Sequence, residues 1–150
     1  MKRQHLLPTP ADTHALGRAL AGVLRPGDLV VLVGPLGAGK TALTQGIGAG
    51  LEVGEPVTSP TFVIARVHRG GRVPLVHVDA YRLGGIADVE DLDLDASSAE
   101  SVTVVEWGQG LVEQLADGHL EVRLDRREDD VRTATLVPHG PDWEQRLTTG

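Results

Sequence analysis

The segment Gly34-Pro35-Leu36-Gly37-Ala38-Gly39-Lys40-Thr41 fits the pattern G-x-x-x-x-G-K-[ST], which belongs to loops that wrap nucleotide phosphates. Backbone N–H groups from Gly37 to Thr41 can turn toward anionic oxygens, because glycine accepts the dihedrals and the close approach this needs. The N-terminus of a following helix adds its positive dipole end. Lys40 brings a compact ammonium on a flexible stem, suited to β- and γ-phosphate oxygens where a planar guanidinium would not fit. Of the 14 basic side chains only Lys2 and Lys40 are lysines. Thr41 supplies the hydroxyl expected on Mg²⁺. The plainer reading is a glycine-rich turn with a surface lysine, and the flanking elements decide against it.

Magnesium at such a loop also calls for an acid at the end of a neighbouring strand. Asp79 follows the apolar Pro74–Val78, and Glu106 follows Val102–Val105. Ligand sites in α/β proteins gather at strand carboxyl ends. Glu106 is read as touching the metal or orienting the attacking water, and Asp79 as holding the metal through water. Either acid alone is equally well read as a solvated strand end. Thr58-Ser59-Pro60-Thr61 is a hydroxyl-rich loop suited to sensing a γ-phosphate, with an ordinary turn as the alternative.

Other residues carry weaker signals. His77 lies two positions before Asp79 and so shares its strand face; a packed or hydrogen-bonded imidazole is preferred over a metal pair. Asp91, Asp93 and Asp95 alternate like the start of an EF-hand but lack its glycine and its glutamate at position 12, so they read as a solvated acidic face. Trp107, one of two tryptophans, covers the site, presents a partner surface or closes a core edge. Arg82 is read as a surface arginine, with charge stabilisation as the alternative.

The elements that must position these residues follow from pattern. Thr9-Pro10 reads as an N-cap and first helical position, with Asp12 in the first turn. Leu16, Leu20, Val23 and Leu24 recur at helical spacing up to the turn Arg25–Asp28. Leu29–Val33 is a continuous apolar run, as in a strand buried on both faces. Lys40–Leu51 reads as the helix after the loop. Thr61–His68 and Arg72–Asp79, joined by Arg69-Gly70-Gly71, read as a hairpin. Asp88–Asp95 reads as a short helix and loop, Val102–Glu106 as a buried strand and Gly108–Ala116 as a helix. Leu120–Leu124 and Val131–Val137 read as a second hairpin, and Pro141–Leu147 as a short helix or tail. The order predicts an α/β protein, a P-loop NTPase-like three-layer fold with a mixed central sheet.

Composition narrows the partners. A chain of 150 residues is expected to form one compact domain, residues 1–150, around the phosphate-binding loop, with a core of Leu, Val, Ile and Ala because aromatics are only 3%. The absence of cysteine excludes disulfides, thiolate zinc sites and cysteine nucleophiles. No apolar run approaches the ~20 residues needed to span a bilayer, and the N-terminus lacks a signal-peptide pattern. A soluble, cytoplasmic protein without a membrane role is expected. The formal charge of −7 argues against gripping nucleic acid unaided.

Gly34–Thr41, Val57-Thr58-Ser59-Pro60-Thr61-Phe62, His77-Val78-Asp79-Ala80-Tyr81-Arg82-Leu83 and Val105-Glu106-Trp107 together resemble, in order and spacing, the TsaE (YjeE) ATPases. The resemblance spans almost the full chain. It implies a small Mg²⁺-dependent P-loop ATPase, weak alone, that assists the TsaD and TsaB proteins in making threonylcarbamoyladenosine on tRNA, with tRNA met only through the complex. Carried over by position, Gly34, Leu36, Gly37, Ala38, Gly39, Lys40, Thr41 and Ala42 contact ATP, with Asp79 and Trp107 beside them. Lys40, Asp79 and Glu106 are the catalytic set, and Thr41 and Glu106 the magnesium ligands. Thr9 matches a position near the nucleotide. Ala42 departs from the second threonine of many members, which implies altered affinity rather than loss, since its backbone N–H remains. Two readings compete. A small-molecule or nucleoside kinase needs an arginine-rich lid that the chain does not obviously contain. A GTP switch needs an N-K-x-D segment, which is absent.

Overall fold

A computed structural model describes residues 3–34, 39–53, 65–68, 71, 73–79, 101–106, 118–127, 129 and 131–149. Among them run β1 (Gln4–Leu7), α1 (Pro10–Ala21), β2 (Leu29–Val33), α2 (Lys40–Gly50), β3 (Ala65–His68), β4 (Leu75–Asp79), β5 (Val102–Glu106), β6 (His119–Arg126), β7 (Arg132–His139) and α3 (Pro141–Thr149). The strands form one seven-stranded sheet in the order β1-β7-β6-β2-β5-β4-β3. Its centre, β6-β2-β5-β4, is parallel, and the flanking β3, β7 and β1 pair antiparallel. The sheet is therefore mixed, as the pattern of early alternation and late hairpins predicts.

The parallel centre accounts for the unbroken apolar runs. On β2, Val30 and Leu32 join one cluster with Val102 and Val104 of β5 and Leu120 and Val122 of β6. On the opposite face Val31 and Val105 are buried too, so alternation is lost. α1 and α2 cover the first face through Leu16, Leu20, Leu43 and Ile47. Each fully buried leucine contributes about 2 kcal/mol of transfer free energy.

The two helices meet backbone to backbone. A Cβ on Gly46 would lie 2.1 Å from the His14 carbonyl oxygen, and one on Gly17 would lie 2.3 Å from that of Leu43. This contact lets α1 lie against α2 and sets where the α2 N-terminus sits.

Local sequence signals place most boundaries. Thr9 caps α1 in a full capping box: its side chain accepts from the Asp12 amide, and Asp12 accepts from the Thr9 amide at 2.9 Å. α1 stops at Ala21, ahead of Val23 and Leu24, which the helical spacing includes; the amides of Gly22 and Val23 still turn back onto α1 carbonyls. The β3–β4 hairpin pairs Ala65 with Val78, and the β6–β7 hairpin pairs His119 with His139. Helix α3 extends to Thr149 and buries Trp143 and Leu147. The segments 54–64, 80–100 and 107–117 hold the hydroxyl-rich loop, Asp88–Asp95 and the expected Gly108–Ala116 helix; all three lie outside the described residues.

β1 has no counterpart in the sequence reading. Of its four residues only Leu7 is buried, while Leu6 is 63% exposed. The strand is held by its ladder to β7, with the Arg3 carbonyl also accepting from the Leu136 amide at 2.6 Å. Backbone pairing leaves no apolar periodicity to read. No helix among the described residues is long and apolar enough to cross a membrane.

Candidate functional site

β2 ends at Val33, and Gly34 begins the glycine-rich segment. A Cβ on Gly34 would fall 2.4 Å from the Leu124 carbonyl oxygen, so the chain passes β6 here with room only for glycine. Pro35, Leu36, Gly37 and Ala38 lie outside the described residues. The chain returns at Gly39, whose φ of +104° is a left-handed conformation that glycine adopts without strain. Gly39 is the N-cap of α2 and makes no side-chain cap hydrogen bond, which leaves first-turn amides to be satisfied by other groups.

Lys40 opens α2. It is only 6% exposed, and its Nζ donates to the Gly34 carbonyl at 2.9 Å. A surface lysine in a glycine-rich turn would extend into water; this one folds back onto Gly34. Thr44 Oγ1 donates to the Lys40 carbonyl at 2.9 Å. Thr41 and Ala42 follow in the first turn, both half-buried.

The two acids arrive by strand register. Asp79 on β4 pairs with Glu106 on β5, and Glu106 pairs with Leu32 on β2. The parallel strands therefore end together, with both acids in one row beside the point where β2 enters the loop. Glu106 is buried, and its Oε1 accepts from His77 Nε2 at 3.1 Å. His77 is fully buried, so the hydrogen-bonded reading of this histidine holds, with Glu106 as its partner. Nothing in the spacing of His77 and Glu106 along the chain signals that contact, since it depends on β4 and β5 being neighbours.

α1 contributes as well. Thr13 Cγ2 and Arg132 Cδ would lie 3.4 Å and 3.6 Å from a Cβ on Gly39, bringing both side chains to the start of α2. Sequence reading considers Arg82 as a charge-stabilising arginine and passes over Arg132; only the antiparallel pairing of β7 brings Arg132 here. Thr9 stands one helical turn before Thr13, and its hydroxyl donates to Asp12 Oδ2 at 2.8 Å. Trp107, the loop Thr58-Ser59-Pro60-Thr61, Arg82 and Asp91, Asp93 and Asp95 lie outside the described residues.

The arrangement gathers a buried ammonium, a helix N-terminus and the buried Glu106 carboxylate at one end of the parallel centre of the sheet, with Asp79 in register beside Glu106. Such a set suits a polyanion accompanied by a hard cation. The Thr41 hydroxyl and the carboxylates of Glu106 and Asp79 are oxygen donors, the set magnesium takes.

Comparison with known proteins gives the family. Residues 7–134 match the family model for the threonylcarbamoyl adenosine biosynthesis protein TsaE. A Streptomyces coelicolor protein named tRNA threonylcarbamoyladenosine biosynthesis protein TsaE is 58% identical over 135 residues, covering 85% of this chain and 91% of that one. The Bacillus subtilis protein of the same name is 38% identical over 136 residues, covering 90% and 85%. The crystal structure of Bacillus subtilis YdiB superposes with a TM-score of 0.80 at 32% identity, covering 97% of this chain and 91% of that one. A family match over this much of the sequence, together with the shared fold, leads to one conclusion: the chain belongs to the TsaE family.

Proposed function

We propose that this chain is a magnesium-dependent P-loop ATPase that acts in the threonylcarbamoyladenosine modification of tRNA, assisting TsaD and TsaB. The observation that carries this reading is Lys40, buried and folded onto Gly34 at the end of β2, with Glu106 and Asp79 in register beside it. The relatives' names supply the pathway.

In this reading the amides from Gly37 to Thr41 and the Lys40 ammonium bind the β- and γ-phosphates of ATP and stabilise the negative charge that grows on them. Thr41 and Glu106 would hold a magnesium ion, which when bound would supply positive charge against the phosphate oxygens. Water attacks the γ-phosphorus, the bond to the β-phosphate oxygen breaks, and ADP and inorganic phosphate leave. His77 fixes one carboxylate oxygen of Glu106 by its hydrogen bond, leaving the other oriented for its ligand. Asp79 would hold the metal through water. Hydrolysis resets or activates the partner complex, which holds the tRNA; the net charge of −7 suits a chain that leaves RNA to its partners.

The test follows the γ-phosphate. ATP labelled there should yield inorganic phosphate, slowly with the chain alone and faster with TsaD and TsaB present. Transfer of the label to a small metabolite would favour a kinase instead, and a preference for GTP would contradict the assignment.

A further inference from the structure

A second cluster of ligating side chains lies at the other end of the sheet and on its other face. His119 and Glu121 are two residues apart on β6, so their side chains leave the face opposite Leu120 and Val122, which belong to the core. His139 on β7 is the direct cross-strand partner of His119. Leu120 is level with Val30, near the start of β2, whereas Lys40 follows the end of that strand.

The cluster is ordered by its own contacts. The rings of His119 and His139 stack with centroids 4.3 Å apart and planes 11° apart. Glu121 Oε1 accepts from His139 Nε2 at 3.1 Å, and Oε2 is paired with Arg123 Nε. One donor atom from each of His119, Glu121 and His139 lies within 4.8 Å of the other two.

We propose that His119, Glu121 and His139 form a binding site for a borderline divalent transition metal such as Zn²⁺ or Ni²⁺, separate from the nucleotide site. Two imidazoles and one carboxylate are the donors such ions take, whereas magnesium and calcium prefer oxygen alone. Glu121 is buried, and burial pushes its pKa up; the hydrogen bonds and charges of Arg123 and His139 outweigh that and hold it below the usual value. Arg123 on Oε2 serves as the outer partner that fixes the orientation of the carboxylate. The His139 side chain is 41% exposed, which gives an ion a way in and leaves outer coordination positions to water.

Donors on one tetrahedral ion lie about 3.3 Å apart. The Glu121–His139 contact already has that spacing. The other separations in the trio, all within 4.8 Å, close by at most roughly 1.5 Å on binding, within reach of a half-exposed ring. The ion then ties the start of β6 to the end of β7, next to α3. Because both imidazoles must be unprotonated, affinity falls as the solution is acidified.

The test titrates zinc alone into the full chain near neutral pH, in competition with a chromophoric chelator, and follows the melting temperature in parallel. Wild type should take one zinc per chain and melt higher with zinc than without. His139→Ala and Glu121→Gln should each weaken binding by at least about tenfold and abolish the thermal shift, while Lys40→Ala binds zinc as wild type does. His139 is exposed enough for its alanine variant to fold, which circular dichroism checks. Zinc affinity or a thermal shift that survives His139→Ala would overturn the proposal, as would the absence of binding to wild type at a hundredfold excess of zinc. Neither result bears on the ATPase reading, which rests on other residues.

Discussion

At the scale of single residues, the site depends on buried polar groups held by one or two partners. Glu106 and His77 are the clearest pair, at 3.1 Å across β4 and β5. Replacing His77 with alanine leaves the carboxylate without its hydrogen bond, and ATP turnover should fall about 10- to 100-fold, as when other outer-shell partners are removed. The magnesium dependence of turnover should weaken in step, measured as the Mg²⁺ concentration at half-maximal rate; an unchanged requirement would mean that His77 only packs. Glu121 gives a pH prediction. Its pKa is lowered in the folded chain by Arg123 and His139, against the effect of burial. A depressed carboxylate stabilises fully above its unfolded value and loses that contribution as pH falls through the folded one. The melting-temperature gap between wild type and Glu121→Gln should therefore shrink as the pH falls below the ordinary glutamate value of 4.5.

At the scale of elements, the contact between α1 and α2 sets the geometry. Gly46→Ala would place a methyl carbon 2.1 Å from the His14 carbonyl oxygen, forcing the helices apart. Destabilisation of about 3 kcal/mol is expected, measured by denaturant unfolding, with weaker ATP binding because the start of α2 moves. The sequence made much of this layer legible. The apolar runs of β2 and β5 mark buried parallel strands with their observed boundaries. Thr9-Pro10 marks the start of α1, and the glycine-lysine pattern marks the turn into α2. What stayed hidden depends on register or on backbone pairing. His77 meets Glu106 and Arg132 approaches Gly39 only because particular strands are neighbours. β1 carries no periodic apolar signal because only Leu7 of its four residues is buried and the ladder to β7 holds the rest. The pairing of His119 with His139 belongs to the same class, since it appears only once the β6–β7 register is fixed.

At the scale of the whole molecule, α3 closes the core at the end of the sheet away from the start of α2. Arg146 donates to Asp28 Oδ2 at 2.6 Å and to the Val23 carbonyl at 3.3 Å, and stacks 4.4 Å over Trp143. Arg146→Met would leave buried Asp28 without its cation. A loss of about 3 kcal/mol is expected from denaturant unfolding, with hydrolysis by the folded fraction unchanged because the site lies at the opposite end. The molecule thus separates a packed, ion-paired base from the opposite end of the sheet, where Lys40 and Glu106 lie. The central claim is that Lys40 and Glu106 belong to one ATP-hydrolysing site. It is tested most directly by ATP hydrolysis with magnesium, with and without TsaD and TsaB, for wild type, Lys40→Ala and Glu106→Ala. Wild type should turn over slowly alone and faster with the partners, and both variants should fall by about 100-fold or more. Equal rates for all three proteins would contradict the account.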